Sequence, residues 1–148
     1  VKNKTIAAWL AFVGGPLGLH RFYLHGWGDM IGWMLPIPTA LGLYGIERSR
    51  LYGVDDPTSW ALMPLFGFVV AGCALMAIIY GLMTPEKWNA RFNAGAPANA
   101  TPGLTHWLTI GAVVAALLFG STALLSSIVM SFQRYFEHQI EEGRKMSQ

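Results

Sequence analysis

Four apolar runs separated by short polar stretches set the outline of the chain, and their lengths decide how each would meet a bilayer. About 20 helical residues cross the roughly 30 Å hydrocarbon layer. Trp60 to Met83 supplies 24 residues without a charge, opened by a tryptophan placed like an interfacial anchor. Thr5 to Leu19 supplies only 15, which as a helix would cover about 22 Å. Either that helix continues through its glycines while Lys2 and Lys4 snorkel, or His20 and Arg21 sit below the headgroups. Met30 to Ile46 is interrupted by Pro36 and Pro38, which predicts a kinked or broken helix packed against protein. His106 to Phe132 opens with Trp107 and is dense in Gly, Ala and Ser, a composition that lets helices approach closely.

The polar stretches complete the pattern. Leu24 to Asp29 is short enough to make the first two runs an antiparallel hairpin, and Glu47 to Ser59, with Arg48, Arg50, Asp55 and Asp56, connects it to the third run. Thr84-Pro85-Glu86 reads as an N-cap, a first-turn proline and a first-turn acid, which predicts a short helix near 85–92. Trp88 and Phe92 share one face of it, as in a helix lying in the membrane interface. Past Phe132, the four-residue spacing of Phe132, Phe136 and Ile140 predicts that the last helix runs on as an amphipathic tail. The expected fold is an all-α integral membrane protein of four transmembrane helices in two antiparallel hairpins. Residues 1–50 form the first hairpin, 60–132 the second with its loop 84–105, and 133–148 the tail.

Composition agrees: 53% hydrophobic and 12% charged residues, with a mean hydropathy of +0.41, are far from soluble averages. A net charge of +2 without a basic block argues against nucleic acid. The lone Cys73 in an apolar run excludes an intrachain disulfide. The basic start, Lys2 and Lys4, precedes no small-x-small cleavage site, so the first run is expected to be a retained helix. If both termini lie on one side, that side holds Lys2, Lys4, Arg48, Arg50, Arg134, Arg144 and Lys145 against Arg21, Lys87 and Arg91 opposite. The bias then puts the termini in the cytoplasm, with a bacterial inner membrane as the expected location.

Lys4 to Leu24 reads K-x-x-A-x-x-L-A-F-V-G-G-P-L-G-L-H-R-F-Y-L, and this run resembles the TM-two domain family, also called the NINE-type domain. The resemblance covers about residues 2–50, and its most specific part is Gly15 to Leu24. It implies two transmembrane helices joined by a short turn, often appended to other segments, and no settled biochemical activity. His25 stands where the family usually has a glycine, and Gly26 follows it. In animal members the equivalent turn is thought to face the cytoplasm, opposite to the charge count.

Candidate chemistry concentrates in Gly14, Gly15, Gly18, His20, Arg21, Phe22, Tyr23 and Asp29. An arginine at membrane depth needs a partner, and Asp29, a lipid phosphate or a carboxylate of another subunit would each serve, with the internal pair slightly favoured. The Gly14/Gly18 and Gly28/Gly32 spacings predict close packing within the hairpin. Tyr23, Trp27 and Trp33 read as an aromatic belt. His138 with Glu141 and Glu142 reads as a solvated face, not a metal site, and no cofactor is expected. Catalytic spacings and a phosphate-binding loop are missing from the sequence.

The expectation is a non-enzymatic accessory or scaffold subunit of a larger membrane complex. Trp27, Trp88, Phe92, Phe136 and Ile140, with His20 and Arg21, are its candidate lipid or partner contacts, and homo-oligomerisation is left open. The alternative is a protein binding an anionic lipid or small ligand at His20 and Arg21. A weaker one is an oligomeric channel or transporter component.

Overall fold

In the computed structural model, which describes residues 2–53 and 56–147, every regular element is helical. Asp55 of the second connection lies outside the described residues. Among the described residues seven α-helices follow one another: α1 Lys4–Gly14, α2 Leu19–His25, α3 Met30–Met34, α4 Pro36–Tyr52, α5 Pro57–Leu82, α6 Pro85–Phe92 and α7 Trp107–Met146. Among the described residues two helices are long and apolar enough to cross a membrane, α5 and α7.

The bundle is built on α5. The α7 helix runs antiparallel to it, with Ser127 against Gly67, Gly120 against Ala74 and Val113 against Gly81. At each of these glycines a Cβ would stand closer than 3.0 Å to the facing atom, so the two backbones approach as only small residues permit. On another side α4 packs antiparallel to α5, Gly42 against Phe66 and Gly45 against Leu62. An Arg48–Asp56 ion pair at 2.7 Å closes that end, where Asp56 also caps α5 through Ser59. The core is correspondingly small-residued: Ala7, Ala8, Ala11, Ala74, Ala77, Ala112 and Ala116 are all buried.

The first apolar run departs from expectation. Asn3 caps α1 by accepting from the Thr5 and Ile6 amides, and α1 then descends antiparallel to α5, from Lys4 beside Met83 to Gly15 beside Cys73. There it stops. Pro16 tightens Gly15–Leu17 into a 3-10 turn, Gly18 takes the left-handed conformation (φ 78°), and α2 climbs back alongside α1. The chain turns again at Gly26, caps α3 with Asp29, and descends a second time through α3 and α4. The proline interruption is a break at Leu35, between the two helices.

Two sequence expectations are thereby corrected. Thr5 to Leu19 is a helix and a turn, so the first hairpin is α1 with α2, closed at Gly14 to Gly18 and not at Leu24 to Asp29. The Lys2 end and the end of α7 also lie at opposite ends of the bundle. Lys2 and Lys4 sit beside Asn93, Met83 and Thr105, while His138 lies beside Trp60 near the start of α5. Each end then carries five basic residues, Lys2, Lys4, Arg21, Lys87 and Arg91 against Arg48, Arg50, Arg134, Arg144 and Lys145. The charge bias that pointed both termini to the cytoplasm disappears, because it rested on counting both ends of the chain together.

Candidate functional site

The fold-back gathers the peculiar residues of the first segment at one end of the bundle. Arg21, on α2, makes a forked contact with Asp29, Nε to Oδ2 at 2.8 Å and Nη2 to Oδ1 at 3.2 Å. Asp29 is doubly occupied, because its Oδ2 also accepts the Gly32 amide as the N-cap of α3. The charged carboxylate is favoured by both donors, which hold Asp29 below the ordinary aspartate value of 3.8, Arg21 first. The Tyr80 hydroxyl of α5 faces the same guanidinium. Of the three partners the sequence allowed for Arg21, the structure uses the internal one.

His20 lies one residue earlier, on the inward face of α2. It is 1% exposed, with its ring 6.3 Å from that of Tyr80, and its Nδ1 has no protein partner. Phe22 faces the other way and stacks on Trp27 at 5.1 Å and edge-on to Trp33 at 5.0 Å. Trp33 Nε1 donates to the Trp27 carbonyl at 2.7 Å, and both tryptophans stay exposed. Gly32 leaves room for the Phe22 ring, which a Cβ would meet at 2.8 Å.

The glycines do not act in the expected pairs. Gly15, not Gly14, makes the approach to α5, with Cys73 at 2.4 Å from where a Cβ would stand. Gly14 leaves room for Leu19 across the turn, Gly18 meets Gly32, and a Cβ at Gly28 would stand in open space.

Sequence reasoning did not see that the loop after α5 clamps the start of α1. Trp88, expected at an interface with lipid or a partner, is fully buried. Its ring packs on Phe92 at 4.4 Å and Tyr80 at 5.9 Å, and its indole N–H donates to the Lys2 carbonyl at 2.8 Å. The correction has a simple cause: α6 lies over the α1–α2 hairpin, so its aromatic face meets protein. Asn93 takes the Lys2 amide at 2.6 Å and donates to the Lys2 carbonyl at 3.0 Å, and Asn89 ties the loop by donating to the Ala98 and Ala100 carbonyls. Lys4, 0% exposed, donates to the Met83 carbonyl at the end of α5 and to Thr105 Oγ1, at 2.8 and 2.6 Å.

The tail residues sit apart from this cluster. Phe136 and Ile140, on α7, are 58% and 57% exposed at the opposite end. Among the described residues no group of three metal-ligating side chains converges.

No curated protein and no solved structure matches the chain. The family model described as the TM2 domain matches residues 1–47, the stretch from α1 into the last turns of α4, which holds the folded-back hairpin, the Arg21–Asp29 pair and the break between α3 and α4.

Proposed function

We propose that the protein is a non-enzymatic membrane subunit that binds other membrane proteins through α7. It crosses the bilayer three times, by α3 with α4, by α5 and by α7, while the α1–α2 hairpin enters from one side and returns to it. From Met30 to Ile46 the broken helix offers 17 residues without a charge, about 26 Å of rise, and Arg48 and Arg50 in the following turn can snorkel to the headgroups. A hairpin that stops part-way is tolerable where its turn is packed on protein, and the Pro16 carbonyl at the turn accepts from Thr39 Oγ1 at 2.8 Å.

One observation carries the functional reading. At 40 residues α7 is about 60 Å long, twice the hydrocarbon thickness, and its outward stripe does not end where the membrane would. Leu125, Val129, Phe132, Phe136 and Ile140 are each 57–61% exposed, and the last of them sit among Glu137, Glu141, Arg144 and Lys145. Apolar side chains facing lipid need no partner, but Phe136 and Ile140 in a charged segment do. The pair first considered for lipid or ligand, His20 and Arg21, is a weaker surface, since one is enclosed and the other is held by Asp29.

Affinity capture from native membranes in mild detergent tests this reading. Wild type is expected to bring down a reproducible membrane protein, and Phe136→Ser with Ile140→Ser to lose it while keeping the same melting temperature. Recovery of the bare protein alone, or undiminished capture by the double variant, would overturn it.

A further inference from the structure

The end of the bundle that holds the α1–α2 hairpin is electropositive. Lys2, Lys4, Arg21, Lys87 and Arg91 lie there against two carboxylates, Asp29 and Glu86. Asp29 is taken by Arg21, and Glu86 is the acid in electrostatic reach of Lys4. That leaves Lys2, Lys87 and Arg91, which form no ion pair among the described residues, and of these Lys2 and Arg91 lie over aromatic rings. Lys2 Nζ stands 5.3 Å from the Tyr23 ring centre and Arg91 Cζ 5.1 Å from that of Phe92. At the same end His25 is exposed, with its ring 6.2 Å from Phe92 and with Arg21, Asp29, Arg91 and Lys2 all within electrostatic range.

Residues 2, 25 and 91 come from three separate stretches of the chain, and the fold sets the backbone position of each. The Lys2 backbone is pinned by Asn93 and by the Trp88 indole, His25 closes α2, and Arg91 lies in the last turn of α6 next to Phe92. Two unpaired cations lie over aromatic faces, with an imidazole against one of those rings, at the rim of the α1–α2 hairpin, where a three-pass topology places the headgroup layer. Cations backed by aromatic rings at that depth suit a phosphodiester whose acyl chains continue down the outside of the bundle. Arg91 offers a planar fork whose N–H groups phosphate oxygens accept, and Lys2 a point charge at the same end of the bundle.

We propose that Lys2, His25 and Arg91 form a binding site for the phosphate headgroup of an anionic phospholipid, distinct from the Arg21–Asp29 pair. The site rests on the membrane reading and is independent of the α7 partner, so either can fail alone.

The test is native mass spectrometry of the full chain in detergent, titrated with phosphatidylglycerol or phosphatidylcholine. Phosphatidylglycerol is expected to be retained preferentially, and Lys2→Gln with Arg91→Gln to weaken its binding roughly 10- to 30-fold, at about 1 kcal/mol for each cation. Lys87→Gln, which removes one charge from the same short helix, is expected to leave binding unchanged. Equal retention of both lipids would overturn the site, as would an unaffected double variant with an unchanged melting temperature. A Lys87→Gln loss equal to that of Arg91→Gln would assign the attraction to diffuse charge. Displacement of the lipid by millimolar inorganic phosphate would assign the cluster to free phosphate and overturn the lipid assignment.

Discussion

The Asn3 amide donates to the Tyr23 hydroxyl at 2.8 Å although 20 residues separate them. Along a continuous helix those positions would stand about 30 Å apart. The contact therefore requires the chain to reverse between them, and the reversal at Gly14 to Gly18 brings Arg21 and His25 to the same end as Lys2.

The turn itself is the most sensitive point. Gly18 has φ 78°, and a Cβ there would stand 2.2 Å from the Gly32 carbonyl oxygen. Gly18→Ala is expected to cost about 2 kcal/mol or more, from the left-handed backbone and the displaced carbonyl. Gly28→Ala, with open space and an ordinary φ, should fall within about 0.5 kcal/mol of wild type. Thermal unfolding in detergent, followed by tryptophan fluorescence, reads both.

Lys4 ties the start of α1 to the end of α5. Lys4→Met keeps most of the apolar stem and removes the donors to Met83 and Thr105, so it is expected to destabilise the fold by about 2 kcal/mol. Hydrogen exchange would show where the loss falls: faster exchange in α1, with α4 unchanged.

The buried Trp88 separates packing from hydrogen bonding. Trp88→Ala is expected to cost about 3–5 kcal/mol by opening a cavity between Tyr80, Phe92 and the Lys2 backbone. Trp88→Phe keeps much of the ring and loses the donor to Lys2, for about 1 kcal/mol plus a smaller cavity. An interfacial tryptophan would show no such graded loss in melting temperature.

Acid should loosen both ends. Arg21 with Gly32, and Arg48 with Ser59, hold Asp29 and Asp56 below the ordinary value of 3.8. A folded-state value below the unfolded one contributes stability that is present above the unfolded value and lost as pH falls through the folded one. The contribution of these two pairs to the melting temperature is expected to be present above about pH 4 and lost below it. Asp29→Asn with Asp56→Asn should flatten the acid limb while lowering the plateau.

What the sequence showed follows from how local each signal is. The break at Pro36, the Thr84 cap of α6 and the run of α7 past Phe132 are written in neighbouring residues, and the helices stop and start there. The Arg21–Asp29 pair was legible because eight residues with a turn between them leave the fork little else to reach. The reversal at Gly18 was not: the 15-residue run was visibly too short to cross, but a glycine-proline turn and a kinked continuous helix share one hydrophobic pattern. Trp88 and Phe92 likewise carry the same four-residue spacing whether they face lipid or Tyr80. The choice is made by Lys2, 86 residues earlier in the chain. The placing of Lys2, His25 and Arg91 at one end of the bundle had no sequence signal, since it exists only once α2 folds back.

The side of the membrane on which Lys2 emerges tests the account most directly. In a Cys73→Ala background, single cysteines at Lys2, Ala96 and Ser147 can be probed in sealed vesicles with a membrane-impermeant maleimide. The folded-back hairpin predicts that Lys2→Cys and Ala96→Cys react from one side and Ser147→Cys from the other. Labelling of Lys2→Cys together with Ser147→Cys would mean that the first helix crosses the bilayer, and would contradict it.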